Sequence, residues 1–296
     1  MLTICYDVKR SPVNRGRGFT LVELLIVISI IGVLVALTMP AINMARESGR
    51  QATCKNNLHQ LALGCQAHEA QWQRFPSGGL LKSSTGVSTI APGANQPGGW
   101  LYNILPFIDQ KDLHDEQDGL RGQNVVPVFL CPTRHRLTIN TSGFGMNDYA
   151  GNAGSLFIAP GTPSPTNVTK FNGVIYQASA VSTAQIKDGL PQTYLIGERF
   201  MTTLGYPGGT IENDVGWDSG YDYNTIRWTA SGPSPDQKVN VTTALASLFG
   251  SAHQNGFHMA FCDGSVRKMN YLMSTTVHTQ LGARADGEPT QMQNTY

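Results

Sequence analysis

The sequence predicts an α+β protein: one long amino-terminal helix packed on an antiparallel β-sheet, within a loop-rich globular domain. Three observations point there. An apolar run from Phe19 to Met39 follows a short basic leader. A helical repeat of apolar residues then continues to about Arg74. Beyond it the chain breaks into short runs between Gly, Pro, Ser, Thr and Asn clusters, and the last two alternating runs are divided by Asp263-Gly264.

The leader, residues 1–18, carries Lys9, Arg10, Arg15 and Arg17 against Asp7. It hides the character of the rest: the full chain has net charge +1, whereas the chain from Phe19 onward holds 17 basic and 19 acidic residues. A slightly acidic chain with no basic run is not read as a nucleic-acid binder. Charged residues make up only 14% of the whole, well under the usual quarter, which suits an extracytoplasmic, loop-rich protein.

The run from Phe19 to Met39, as a helix, spans about 30 Å, one hydrocarbon core. Its one charge is Glu23. Basic residues precede it, so the positive-inside rule places the leader in the cytoplasm and the bulk of the chain outside. A secretory signal would have its small-residue cleavage site after the apolar run; here the small residue, Gly18, comes before it. Cys54, Leu58, Leu61, Ala62, Cys65, Glu69 and Trp72 then recur at helical spacing until Pro76-Ser77-Gly78-Gly79 ends the pattern. The expected organisation is a leader (1–18), a transmembrane helix (19–40) with Pro40 as a bend point, an amphipathic spine helix (41–75) and a β-rich globular domain (76–296).

Within that domain the segment from Trp100 to Ile108 reads equally as helix or strand because of Pro106. Val125 to Cys131 reads as a buried stretch or edge strand, and 161–169 as a loop. Gly173 to Tyr176, Thr193 to Gly197, Ile211 to Ser219 and Ile226 to Trp228 read as strands. Phe257 to Cys262 and Ser265 to Met269 read as a hairpin closed by Asp263-Gly264 in a type I′ turn.

The segment Arg17-Gly18-Phe19-Thr20-Leu21-Val22-Glu23-Leu24-Leu25-Ile26-Val27-Ile28 resembles the cleavage and methylation signature of type IV pilins and type II secretion pseudopilins. The resemblance implies that a prepilin peptidase cuts between Gly18 and Phe19 and methylates the new Phe19 amine. It also implies that Glu23 serves assembly, with that amine, in a neighbouring subunit or its own chain, as partner. A lone carboxylate in a bilayer costs a few kcal/mol and persists where it has such a partner. The chain further resembles a large family of prepilin-like bacterial proteins defined by a carboxy-terminal H-x9-D-G motif, here His253 and Asp263-Gly264. Asn57-Leu58-His59-Gln60-Leu61, Phe129-Leu130-Cys131-Pro132, Asp148-Tyr149-Ala150-Gly151 and Gly197-Glu198 carry the same likeness. This implies an envelope location and a pilin-like architecture, not a reaction.

Candidate chemistry is sparse. His253 is expected to hydrogen-bond a nearby backbone, and a strand of about six residues would hold it roughly 20 Å from Asp263. Asp214, Asp218 and Asp222 lie in a glycine-containing, oxygen-rich loop that could hold calcium, though not at EF-hand spacing; no other cofactor is expected. Cys54 and Cys65 are about 16 Å apart along one helix and cannot bridge each other. A bridge would therefore tie the helix to Cys131 or Cys262, and the resemblance favours Cys54 with Cys131. No C-x-x-C pair supports zinc, and no hydrolase, phosphate-loop or dinucleotide fingerprint occurs, so the chain is not read as an enzyme. The expected role is a pilin-like structural subunit of a type IV filament or type II secretion-like assembly. Its partners would be the prepilin peptidase, the membrane and other pilin-like subunits. The alternative is a glycan-binding module, with Trp100, Trp217, Tyr221, Tyr223 and Trp228 lining a sugar site.

Overall fold

A computed structural model of the chain describes residues 19–80, 96, 98–117, 120–134, 137–160 and 170–288. The leader, including Gly18, and the segment 161–169 lie outside the described residues. Helix α1, Leu21–Trp72, continues through Pro40. Its large apolar side chains from Leu21 to Met44 are exposed, and it is long and apolar enough to cross a membrane. The chain divides into two units after Ser48.

In the second unit, α1 has a buried stripe. Cys54, Leu58, Leu61, Ala62 and Cys65 recur every three or four residues and are fully buried, as one face of a helix against a core requires. The sheet they cover is built from β1 (Tyr149–Asn152), β2 (Tyr194–Glu198), β3 (Ile226–Arg227), β6 (Phe257–Phe261) and β7 (Val266–Met269), in the order β3-β1-β2-β6-β7. Strands β4 (Ser234–Pro235) and β5 (Gly250–Ser251) form a separate parallel pair.

The main sheet is mixed rather than antiparallel as expected. Three junctions are antiparallel, but β1 and β3 pair in parallel through Gly151 with Ile226 and Asn152 with Arg227. The long connection between them, which itself contains β2, lets β3 return in the same direction; only a short hairpin would force the opposite one. The pleat sends Phe257, Met259 and Phe261 to one face with Tyr194, Phe249 and Leu281, while Ala260 joins Leu58, Leu61, Tyr149 and Ile196 on the α1 side. Short helices α2 (Trp100–Ile104) and α3 (Lys111–His114) precede the sheet. Helix α4 (Thr275–Gly282) starts at Ser274, whose hydroxyl accepts the Thr276 N–H, and adds Leu281 to the second face.

The Trp100 segment, open between helix and strand in the sequence, is helix α2 followed by a 3₁₀ turn, and Val125 to Cys131, read as a buried stretch or edge strand, contains the 3₁₀ turn Pro127–Phe129. Two other segments read as strands are not strands. The segment from Gly173 to Tyr176 is a buried bend: the Val174 and Ile175 N–H groups both donate to the Asn152 carbonyl, which no regular ladder allows. The segment from Ile211 to Ser219 is a run of turns.

The β6–β7 hairpin is present, but its turn is not type I′. Gly264 has φ +82°, whereas Asp263 is not in the left-handed region. The Gly264 N–H donates to the Phe261 carbonyl and the Phe261 N–H to the Ser265 carbonyl, each at 2.9 Å. This is the three-residue hairpin loop, with glycine supplying the one left-handed position.

Candidate functional site

At the amino end, Phe19 is exposed. Thr20 and Glu23 hold each other: the Glu23 carboxylate accepts the Thr20 N–H at 2.9 Å and the Thr20 hydroxyl at 2.8 Å, while the Thr20 oxygen accepts the Glu23 N–H at 3.2 Å. Spaced three apart at the start of α1, they form a capping box that satisfies donors a helix start leaves open. Glu23 thus has a partner within its own chain.

The two ends of the His253-x9-Asp263-Gly264 segment meet α1 at different places. At the hairpin tip, the His59 Nδ1 lies 2.9 Å from the Gly264 carbonyl and the Gln66 amide donates to the Cys262 carbonyl at 3.0 Å. Asp263 turns back on itself, accepting the Ser265 N–H and hydroxyl. His253 lies elsewhere, so the motif does not make a His–Asp pair.

His253 sits in a buried cluster built from four separate parts of the chain. Cys54 on α1 and Cys131 form a disulfide with Cα atoms 5.4 Å apart. The Nε2 of the His253 ring faces side chains: it is 3.6 Å from the Cys131 sulfur and 3.3 Å from Glu198 Oε1. Glu198 ends β2 opposite His258 of β6, and its Oε2 accepts the His258 N–H at 2.7 Å and lies 3.2 Å from that ring's Nδ1. Burial alone would raise the Glu198 carboxyl, but the two imidazoles beside it outweigh burial and hold it well below the usual carboxylate range. The loop bearing Cys131 is fixed by Asp148, whose carboxylate accepts the Cys131 N–H at 2.6 Å and pairs with Arg134 at 2.8 Å. The ligand-type atoms of Cys54, Cys131, Glu198 and His253 all lie within 4.8 Å of one another, a grouping that could hold a metal ion only with the bridge reduced.

The acidic loop is arranged differently. The Asn224 amide bridges Asp214, at 3.0 Å, and Asp222, at 2.7 Å. Asp218 instead presses its carboxylate against Gly122, where a Cβ would meet it at 2.6 Å. Of the aromatic residues considered for a sugar site, Trp100, Trp217, Tyr221 and Trp228 are fully buried in the core, so they fill the interior instead of lining a surface platform.

Residues 43–273, the greater part of the chain, match the family described as protein of unknown function, DUF1559. The chain belongs to the DUF1559 family. Residues 13–39 of this DUF1559 chain match the prokaryotic N-terminal methylation motif. The chain is also 45% identical over 47 residues to the type IV major pilin protein PilA of Myxococcus xanthus, a match covering 16% of this chain and 21% of that protein. No solved structure matches it.

Sequence reasoning passed over Glu198 and His258 of this DUF1559 chain as site residues. Their signal was present but non-local: a carboxylate closing a five-residue apolar strand, and a histidine on the opposite pleat of Phe257, Met259 and Phe261. A charge at the end of an otherwise buried strand needs a buried partner, and here the partners come from residues 253 and 258.

Proposed function

We propose that this chain is a membrane-anchored, pilin-like structural subunit whose amino-terminal helix drives its assembly with other pilin-like subunits. The observation that carries this reading is the N-terminal methylation motif over residues 13–39, leading into an α1 whose large apolar side chains from Leu21 to Met44 are exposed. In this reading the basic leader stays in the cytoplasm until a prepilin peptidase cuts between Gly18 and Phe19 and methylates Phe19. The helix then remains in the membrane, with the globular domain on the outer side or exported on a filament. The likeness to PilA over 47 residues supports a type IV filament; a type II secretion-like pseudopilus uses the same chemistry.

Glu23 is where this reading is most exposed. In the precursor it is capped by Thr20; in an assembly it would exchange that contact for the Phe19 amine of a neighbouring subunit, a stronger partner because it carries full charge. The test is Glu23→Ala in cells that make the tagged protein. The variant should still be cut and remain in the membrane, yet be absent from sheared or imaged filaments. Incorporation at the wild-type level would overturn the assembly role.

A further inference from the structure

We infer that, when Cys54 and Cys131 are thiols, they bind one zinc-like cation together with His253 and Glu198, so that the same four residues have a disulfide form and a metal form. Tetrahedral zinc with sulfur at about 2.3 Å and nitrogen or oxygen at about 2.0–2.2 Å places a sulfur and a nitrogen about 3.6 Å apart, and a nitrogen and an oxygen about 3.4 Å apart. The Cys131–His253 and His253–Glu198 separations are 3.6 Å and 3.3 Å. Two edges of the tetrahedron already stand at the required length, and reduction frees the sulfurs to open toward the about 3.8 Å that a zinc dithiolate needs.

The surrounding groups fit a ligand set better than they fit a disulfide alone. A disulfide has no need of a charged neighbour, yet the carboxylate and imidazole beside it are 1% and 0% exposed. Glu198 Oε1 lies 3.3 Å from His253 Nε2 on the side of the cluster shared with the two cysteines, while Oε2 is held by the His258 N–H and ring. One oxygen restrained and the other presented is how an outer group orients a metal-binding carboxylate. The backbone at His253 is also fixed: its carbonyl accepts the Tyr271 hydroxyl at 2.8 Å and its N–H donates to Ser251. A cavity of about 160 Å³ is bordered by Cys131, Asp148, Leu137 and Thr138, and Leu137 on its rim is exposed.

The chemistry balances simply. Loading replaces the two thiol protons with the cation and changes no oxidation state, so two protons leave per ion bound. Going from the disulfide form requires two electrons and two protons, which a dithiol reductant supplies as it closes to its own cyclic disulfide.

The test uses the full-length chain in detergent micelles, treated with dithiothreitol without oxygen, desalted and titrated with Co²⁺. The reduced chain should take up one cobalt, with a thiolate-to-cobalt charge-transfer band and strong tetrahedral d–d absorption, and the oxidised chain should show neither. Zinc should displace the cobalt and lower iodoacetamide labelling of Cys54 and Cys131 in denaturant-free mapping, while the buried Cys65 and Cys262 should label no differently with or without zinc. Glu198→Gln and His253→Ala should each weaken cobalt binding at least about ten-fold. If the reduced chain unfolds without metal, stoichiometric zinc should restore its native circular dichroism. No cobalt uptake by the reduced chain, no such restoration, or uptake unaltered in both variants would overturn the inference.

Discussion

His278 lies on α4 with both ring nitrogens buried and no hydrogen-bond partner, among the rings of Tyr194, Phe249 and Phe257. Burial drives its pKa down from 6.5 to about 3, because a charge there would be desolvated on every side. The sign follows. Above pH 6.5 the ring is neutral folded or unfolded. Between 6.5 and about 3 only the unfolded chain takes the proton, so stability falls as pH drops through that window. His278→Leu should raise stability at neutral pH by about 1 kcal/mol, by removing unsatisfied polar atoms, and should flatten the acid side of a melting-temperature profile. Arg134 is the opposite case. Its guanidinium is buried between Asp148 and Asp236, at 2.8 Å from each, and Asp236 also takes the Tyr206 hydroxyl and the Met201 N–H. Arg134→Met leaves two buried carboxylates without their cation and should cost about 3–5 kcal/mol in urea unfolding. Neither environment was legible in the sequence. The partners of Arg134 lie 14 and 102 residues away, and a histidine in a short amphipathic helix announces nothing about three rings that pack on it.

Elements were legible in proportion to how locally they are determined. The long helix was, because its repeat and its Pro76-Ser77-Gly78-Gly79 stop act within a few residues, and α1 runs from Leu21 to Trp72. The final hairpin was, because Asp263-Gly264 and the alternation around it are local as well. The turn class was misjudged, since a two-residue loop and a three-residue loop with one left-handed glycine use the same pair of residues; the ladder register, Ala260 with Val266, decides between them. Gly264→Ala should therefore destabilise by about 1–2 kcal/mol, while Asp263→Asn, which keeps an acceptor for the Ser265 N–H, should cost much less in the same thermal melt. The apolar runs at Gly173 and Ile211 misled because burial does not need a ladder. Their backbone groups are satisfied by bends and turns whose partners, such as Asn152, are remote in sequence. The metal-capable cluster was illegible for the same reason: cysteines 77 residues apart carry none of the close spacing that marks a zinc site in a sequence.

For the whole molecule, the contact that matters most is the covalent one between α1 and the loop at Cys131. It closes a loop of 77 residues, and such a bridge stabilises a domain by about 2–4 kcal/mol, mainly by restricting the unfolded chain. Cys131→Ser should lower the melting temperature accordingly, and a reductant should then have little further effect on that variant. The bridge also has a mechanical meaning. A pull entering along α1 reaches Cys54 and crosses directly to Cys131, so the chain between them bears no tension while the bridge is intact. Stretched between its ends in a single-molecule experiment, the reduced protein should release about 260 Å more contour than the oxidised one, the extended length of that sheltered segment. A subunit hauled by its anchor would thus yield first beyond residue 131, with the segment between the two cysteines, the buried half of the helix included, shielded from the load.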